Sequence, residues 1–324
     1  MARVALDVMG TDHGPAATVG GAILASEAGY EVVLVGDEQS IKPLLEDAGA
    51  DLDVVHSPDV IEMHEDPARA LREKPDASVL TAAKLVRSGE AEAMVSAGST
   101  GAAMAASAIV IGRIRGVLRP AIATPIPAPG HAATLLDAGA NPDIRPEHLA
   151  QFGVMGSLVA EIIYGIENPR VGLLNIGGER SKGRDLERAA YTLLEEAAVN
   201  FVGNVEGGDI ALDNADVFVT DGFTGNVALK SIEGTGTFAV EMVRTALSHL
   251  PVGEFADFDG AIAEFRELLN PEQYGGAHLV GTRGGVVIAH GSSSKVAIFN
   301  AIRVATEGVK GGLVERLGQG LASS

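Results

Sequence analysis

Short apolar runs alternate with longer amphipathic stretches along nearly the whole chain. The runs at residues 4–8, 31–35, 52–56, 93–97, 121–124, 133–136, 171–176, 200–202, 217–220 and 286–289 are rich in Val, Leu, Ile and Ala, which predicts strands buried on both faces. Residues 16–28, 40–48, 77–88, 100–112, 146–164, 186–197, 225–247, 258–268 and 295–317 carry apolar side chains at three- to four-residue spacing and read as helices. Gly49, Gly89 and Gly165 each follow such a pattern and mark helix ends, while Pro146 sits where a helix tolerates proline, in its first turn. Strand followed by loop followed by helix implies parallel strands joined by right-handed crossovers, hence a three-layer α/β/α sandwich on a mostly parallel sheet. There is no internal repeat and no low-complexity linker, so one domain spanning residues 1–324 is expected, with a peripheral helical hairpin at about 240–272.

Composition refines this picture. Hydrophobic residues make up 46% of the 324, aromatic ones only 4%, so the core is aliphatic. The 41 glycines follow no period and fall at strand–loop–helix junctions. A formal net charge of −19 argues against nucleic-acid binding, which needs a basic footprint, and against broad attachment to anionic lipid. The chain has no Cys, which excludes disulfides, thiolate–metal sites and a cysteine nucleophile, and fits a reducing cytoplasm as its location. The N-terminus reads as a strand and not as a leader. Residues 93–112 carry no charge and are long enough to span a bilayer, yet Ser96, Gly98, Ser99, Thr100, Gly101 and Ser107 interrupt them. A buried strand, a tight turn and a buried helix are expected there.

In an open α/β sheet, ligands bind beyond the carboxyl ends of the strands. Those ends carry distinctive loops here, taken to converge on one edge. Two look suited to an anion: residues 98–101 and residues 222–226 each place glycines and hydroxyls where a helix begins, and free N–H groups favour phosphate there. Helix capping by Ser99 and Thr224 is the plainer reading of each loop. There is no GxxxxGK[ST], no GxGxxG after the first strand and no GxSxG, so P-loop, dinucleotide and nucleophile-elbow chemistries are not indicated. No HExxH or HxxxH occurs, and neither a metal site nor a cofactor is expected. His13 and His290 lie in strand-end loops. Lys182, near Glu179 in a Gly-flanked loop, reads either as a solvated pair or as a phosphate clamp, and Lys230 carries the same two readings. Arg113, Arg115 and Arg119 form the densest basic run, read as a solvated loop ahead of a partner-docking patch.

The loops at residues 7–15, 96–101, 135–141, 173–183, 201–206 and 220–230, together with residues 274–276 and 289–292, form an ordered series that resembles the bacterial phosphate acyltransferase family PlsX. The resemblance runs from Met1 to about Arg303. It implies a Rossmann-like fold related to isocitrate dehydrogenase and phosphotransacetylase. It also implies a homodimer associated peripherally with the membrane, and transfer of a long-chain acyl group from acyl carrier protein to inorganic phosphate for phospholipid synthesis. The downstream membrane glycerol-3-phosphate acyltransferase is a further implied partner. Thr11, Ser99 and Gly178 depart from the family pattern by small polar or glycine exchanges, and the segment 249–260 is shorter and more acidic than is usual.

For that reaction the candidates are as follows. Ser96, Gly98, Ser99, Thr100 and Gly101 would hold phosphate, with Asp12, His13, Asn141, Asn175, Thr224, Gly225, Lys230 and His290 around the same mouth. Lys182 would neutralise phosphate or the oxyanion and Asn226 would donate to it. Asp221 or Glu179 would orient Lys182 or a phosphate proton. Ile232, Phe238 and Met242 form a helical stripe that is either plain core or an acyl groove. Two rivals stand beside this reading: a phosphotransacetylase-like enzyme using acyl-coenzyme A, and a non-catalytic scaffold of the phospholipid pathway.

Overall fold

The computed structural model describes residues 2–12, 14–128, 131–212, 214–247, 260 and 271–322. Among them eleven strands form one sheet. They are β1 (Arg3–Asp7), β2 (Glu31–Gly36), β3 (Asp53–His56), β4 (Ala93–Ser96), β5 (Ala121–Ala128), β6 (His131–Leu136), β7 (Arg170–Leu174), β8 (Asn200–Val205), β9 (Val217–Val219), β10 (Ala277–Val280) and β11 (Gly285–Ile288). Their spatial order is β3-β2-β1-β4-β11-β10-β5-β6-β9-β7-β8. Seven of the ten neighbouring pairs are parallel, and the antiparallel ones are β11–β10, β10–β5 and β5–β6.

Those three reversals matter for the site. Strands β1 to β4 and β11 run one way, whereas β6 to β9 run the other, so the carboxyl ends of the two halves lie on opposite edges. From β4 to β6 is four steps in the sheet, roughly 19 Å at about 4.8 Å per step. Twist of about 20–25° per step turns the second edge by roughly 80–100° over that distance, so the edges stand near a right angle and not back to back.

Alternation along the strands sorts the core into three clusters. Val4 and Leu6 of β1 pack with Val19, Ala22 and Ile298 beneath helices α1 (Ala16–Glu27), α2 (Glu38–Ala48) and α9 (Lys295–Lys310). On the same side of the other half, Leu136, Val171 and Val217 pack with Phe152, Met155 and Leu194 beneath α6 (Pro146–Tyr164), α7 (Asp185–Glu196) and α10 (Leu313–Ala322). The opposite face carries one continuous cluster across both halves. There Ala5, Met94, Leu135 and Phe218 lie under α3 (Pro67–Glu73), α4 (Ser78–Ser88), α5 (Thr100–Ala106) and the first turns of α8 (Gly222–Leu247).

Most predicted elements are present within a few residues of their expected ends. The uncharged stretch 93–112 is indeed β4, a turn, α5 and a π turn over Ser107–Ile111. Among the described residues no helix is long and apolar enough to cross a membrane. Three differences have physical causes. Strand β10 was not expected, because its four residues carry His278 inward among apolar neighbours. The single helix expected over 295–317 is two, divided where Gly312 takes φ 66°. At that break Gly311 presses on Ile162, whose Cγ2 would lie 2.2 Å from a Cβ. Helix α3 is seven residues long and its proline start hid the apolar spacing. The expected helix 258–268, and most of the hairpin, fall outside the described residues.

Candidate active site

The sequence-predicted residues form two groups, not one mouth. The first lies at the carboxyl ends of β1, β4 and β11. Asp7 and Ser96 are register partners in adjacent strands and both side chains are buried. Ser96 Oγ donates to Asp7 Oδ2 at 2.7 Å and accepts a long bond from Gly98 N–H at 3.3 Å. Burial pushes the Asp7 carboxyl up to about 6, against hydrogen bonds from Ser78, Ser96 and the Met9 N–H. The β1 loop closes on the β4 turn: a Cβ on Gly10, which has φ 77°, would lie 3.5 Å from Gly98 Cα. Asp12 N–H donates to Gly291 O at 3.0 Å, and His290 Nδ1 lies 2.7 Å from Ser292 Oγ, which joins the β11 loop to the group. His13 is outside the described residues.

Ser99 caps α5, its Oγ accepting from Ala102 N–H at 3.4 Å. Thr100 is exposed, and Gly101 lies against Pro67, whose Cγ would be 2.7 Å from a Cβ. Among the described residues the N–H groups of Ser99, Thr100 and Gly101 have no protein acceptor. Three donors in succession, opening a helix, are what an anion needs.

The second group lies at the carboxyl ends of β6, β7 and β9. Its centre is Asp137, fully buried, which accepts from the N–H groups of Ile122, Gly139, Ala140 and Asn141 and from Asn141 Nδ2, at 2.7–3.1 Å. Asn141 also donates to Pro120 O and accepts from Gly222 N–H. Gly225 is packed so closely that a Cβ would sit 1.9 Å from Asp137 O. Asp221, buried, accepts from Thr224 N–H at 2.8 Å, Thr224 Oγ1 at 2.9 Å and Arg184 Nη2 at 2.7 Å. Burial raises its carboxyl, but the Thr224 N–H and the Arg184 guanidinium outweigh this and hold it below the ordinary value. Arg184 also pairs with Glu187, and the two carboxylates hold its own pKa high.

The donors at the start of α8 are therefore taken: Gly222 by Asn141 O, Thr224 and Gly225 by Asp221, leaving Phe223. Two expectations are corrected here. The glycines of residues 222–226 serve loop-to-loop packing, and their own N–H groups are not free for an anion. Asp221 orients Arg184, not Lys182. Lys182 is half exposed, 3.9 Å from Glu179, within a loop held by Asn175, whose Nδ2 donates to Lys182 O. Asn226 is exposed beside Gly139. Lys230 forms an exposed pair with Glu233, the solvated reading. Ile232 leans on the core, whereas Phe238 and Met242 are 64% and 51% exposed, so the stripe is not plain core. Sequence reasoning passed over Arg184, whose only signal was a Glu three residues on, at the start of a helix.

Comparison with known proteins places this chain. Residues 2–316 match the family described as fatty acid synthesis protein. A phosphate acyltransferase of Desulfitobacterium hafniense (strain Y51) is 47% identical over 327 residues, covering 98% of this chain and 96% of that protein. The chain belongs to the phosphate acyltransferase family. A second member, from Heliobacterium modesticaldum, is 48% identical over 315 residues, or 95% of this chain and 94% of its own length. Among solved structures, a phosphotransacetylase from Streptococcus pyogenes aligns with TM-score 0.65 at 17% identity, covering 95% of this chain and 94% of that one. A 4-hydroxythreonine-4-phosphate dehydrogenase from Klebsiella pneumoniae aligns with TM-score 0.56 at 12% identity, covering 94% and 98%. These two establish the fold alone, and they agree with the α/β architecture expected from the strand and helix pattern.

Proposed function

We propose that this enzyme moves a fatty acyl group from the thioester of acyl carrier protein to inorganic phosphate, supplying acyl phosphate for phospholipid synthesis. The relationship to phosphate acyltransferases over 98% of the chain carries the acyl transfer to phosphate. The three free N–H groups at residues 99–101 support the seat of the phosphate.

A phosphate oxygen attacks the thioester carbonyl carbon, the C–S bond breaks, and the carrier leaves as a thiolate that takes up a proton. A thiolate leaves readily, so the demand on the protein is to position phosphate and to stabilise the oxyanion. Residues 99–101 answer the first demand with neutral donors. Lys182, the least committed cation of the second group, is assigned the second. This assignment requires the two edges to approach each other around the bound donor. A homodimer, peripheral membrane association and delivery to a membrane glycerol-3-phosphate acyltransferase belong to the same proposal.

The test is turnover of palmitoyl carrier protein with radiolabelled phosphate, the product trapped by hydroxylamine. Phosphate-dependent hydroxamate, with acetyl- and palmitoyl-coenzyme A poorer donors, is the expected result. Preference for acetyl-coenzyme A would give the site to phosphotransacetylase chemistry, and binding without turnover would make the protein a scaffold.

A further inference from the structure

Asp7 is a buried acid that the mechanism above leaves unused. Only 2% of it is exposed, and its neighbours Ser78 and Ser96 are equally enclosed, at 2% and 1%. The three side chains, with Met9, Gly98 and Ser99, line a cavity of about 10 Å³, close to the space one water fills. A carboxyl is costly to bury, and an apolar residue would close this core more cheaply. What it does in return is visible in its bonds. It takes the Ser96 hydroxyl at 2.7 Å, and that hydroxyl takes the Gly98 N–H at 3.3 Å. Gly98 lies against the end of β1: a Cβ there would be in ordinary contact, 3.4 Å from Met9 O and 3.7 Å from Asp7 Oδ2.

We infer that Asp7 is a positioning residue for phosphate, acting through Ser96 and Gly98 to set the orientation of the donor loop 99–101. The inference rests on the phosphate reading above. It concerns the buried chain from carboxyl to hydroxyl to backbone, which touches no substrate.

Among the described residues, the groups that line the cavity with the carboxyl carry no charge. Strand β2 offers Val33 and Val35, β4 offers Ser96, α4 offers Ser78, and the segment at residue 61 offers Ile61. The nearby Lys74 is committed to Glu65 and Val60 O. Ionisation of Asp7, pushed up to about 6 by burial, is therefore felt first by the hydroxyls that hold the turn.

The experiment measures binding of inorganic phosphate by isothermal titration, together with KM for phosphate and for the acyl donor, in the parent, Asp7→Asn, Asp7→Ala and Ser96→Ala. Asp7→Ala and Ser96→Ala should each weaken phosphate binding by about tenfold or more, the scale for residues that orient a binding group. The KM for the acyl donor should stay unchanged. Asp7→Asn keeps an acceptor for Ser96 and should recover most of the affinity. It should also lose the inflection near pH 6 in kcat/KM for phosphate, while the ionisation of phosphate itself remains in both profiles. If Asp7→Ala fails to fold, Ser96→Ala breaks the same link without burying a new charge. Phosphate affinity within twofold of the parent in a folded variant, or an equal loss in both KM values, overturns the positioning role and leaves the phosphate reading standing. A parent that binds no phosphate overturns both.

Discussion

Replacing Asp7 by Asn should make the folded protein more stable, and by an amount that depends on pH in a calculable way. The folded-state pKa is raised by burial from 3.8 to about 6. As pH rises, the unfolded chain therefore ionises first. Between the two values the unfolded state binds fewer protons, so native stability falls through that window and the deficit persists above it. The deficit is about 3 kcal/mol near pH 8 and about half of that near pH 5, taking 1.36 kcal/mol per unit. Asparagine is nearly isosteric and never ionises, so it removes the whole pH-dependent part. Any rearrangement of its bonds to Ser96 and Met9 adds a constant. Urea unfolding of parent and variant from about pH 5 to pH 8 gives the difference curve. His278 works in the opposite sense: burial lowers it from 6.5 to about 4, so the stability it contributes above 6.5 is lost as pH falls toward 4. Because both proteins contain His278, the subtraction removes it. A stability gain that grows by about 1 kcal/mol across the range is expected. A flat difference curve, or one that shrinks with rising pH, would refute the reasoning, because it would mean that Asp7 ionises as easily in the fold as out of it.

Asp137→Ala should abolish stable folding, since it strips five N–H donors of one buried acceptor and each such orphan costs about 1–3 kcal/mol; circular dichroism and proteolysis would register it. Gly225→Ala should cost at least about 1–3 kcal/mol in thermal unfolding, because its Cβ would meet Asp137 O at 1.9 Å, while Gly178→Ala, with nothing within 4 Å, should stay within about 0.5 kcal/mol. Lys182→Ala should lower turnover by about 10²–10³ with unchanged stability if it serves the oxyanion. Arg184→Ala should instead show its main effect in unfolding, by about 1–3 kcal/mol, because it leaves buried Asp221 and Glu187 without their cation. Equal behaviour of the two variants would mean that the second group is not divided into a chemical and a structural cation.

The order of strands and helices was legible because each element satisfies one periodicity on a continuous core. What was not legible is strand direction. Nothing in residues 121–136 announces that β5 and β6 form an antiparallel hairpin, or that a four-residue β10 slots between β11 and β5. Those pairings alone separate the loop after β4 from the loop after β9. The candidate residues were found as a set because they share a composition of glycine, hydroxyl and amide. Their sorting into free and occupied donors was hidden, since it depends on which backbone group lies opposite. Asp137 shows this best: one acidic residue in a Gly-rich loop in the sequence, and the acceptor for four backbone N–H groups in the fold.

The two loops that look alike in sequence differ in what occupies their donors. At the start of α8, Asp221 and Asn141 O fill the places an anion would take, and Arg184 balances the buried carboxylate. That end of the sheet is a finished electrostatic unit, and a phosphate could enter it only by displacing a carboxylate that is already paired. At the start of α5 the acid stands one layer deeper. Asp7 lies behind Ser96 and not in front of the loop, so the donors of residues 99–101 keep their outward positions. In a chain carrying a net charge of −19, a phosphate would meet repulsion over most of the surface. A seat made of neutral N–H groups adds no charge of its own, and the Asp7 carboxyl behind it is enclosed. On the proposed phosphate seat, the buried position of Asp7 would do two things together: fix the turn through Ser96, and keep a negative charge off the surface at residues 99–101.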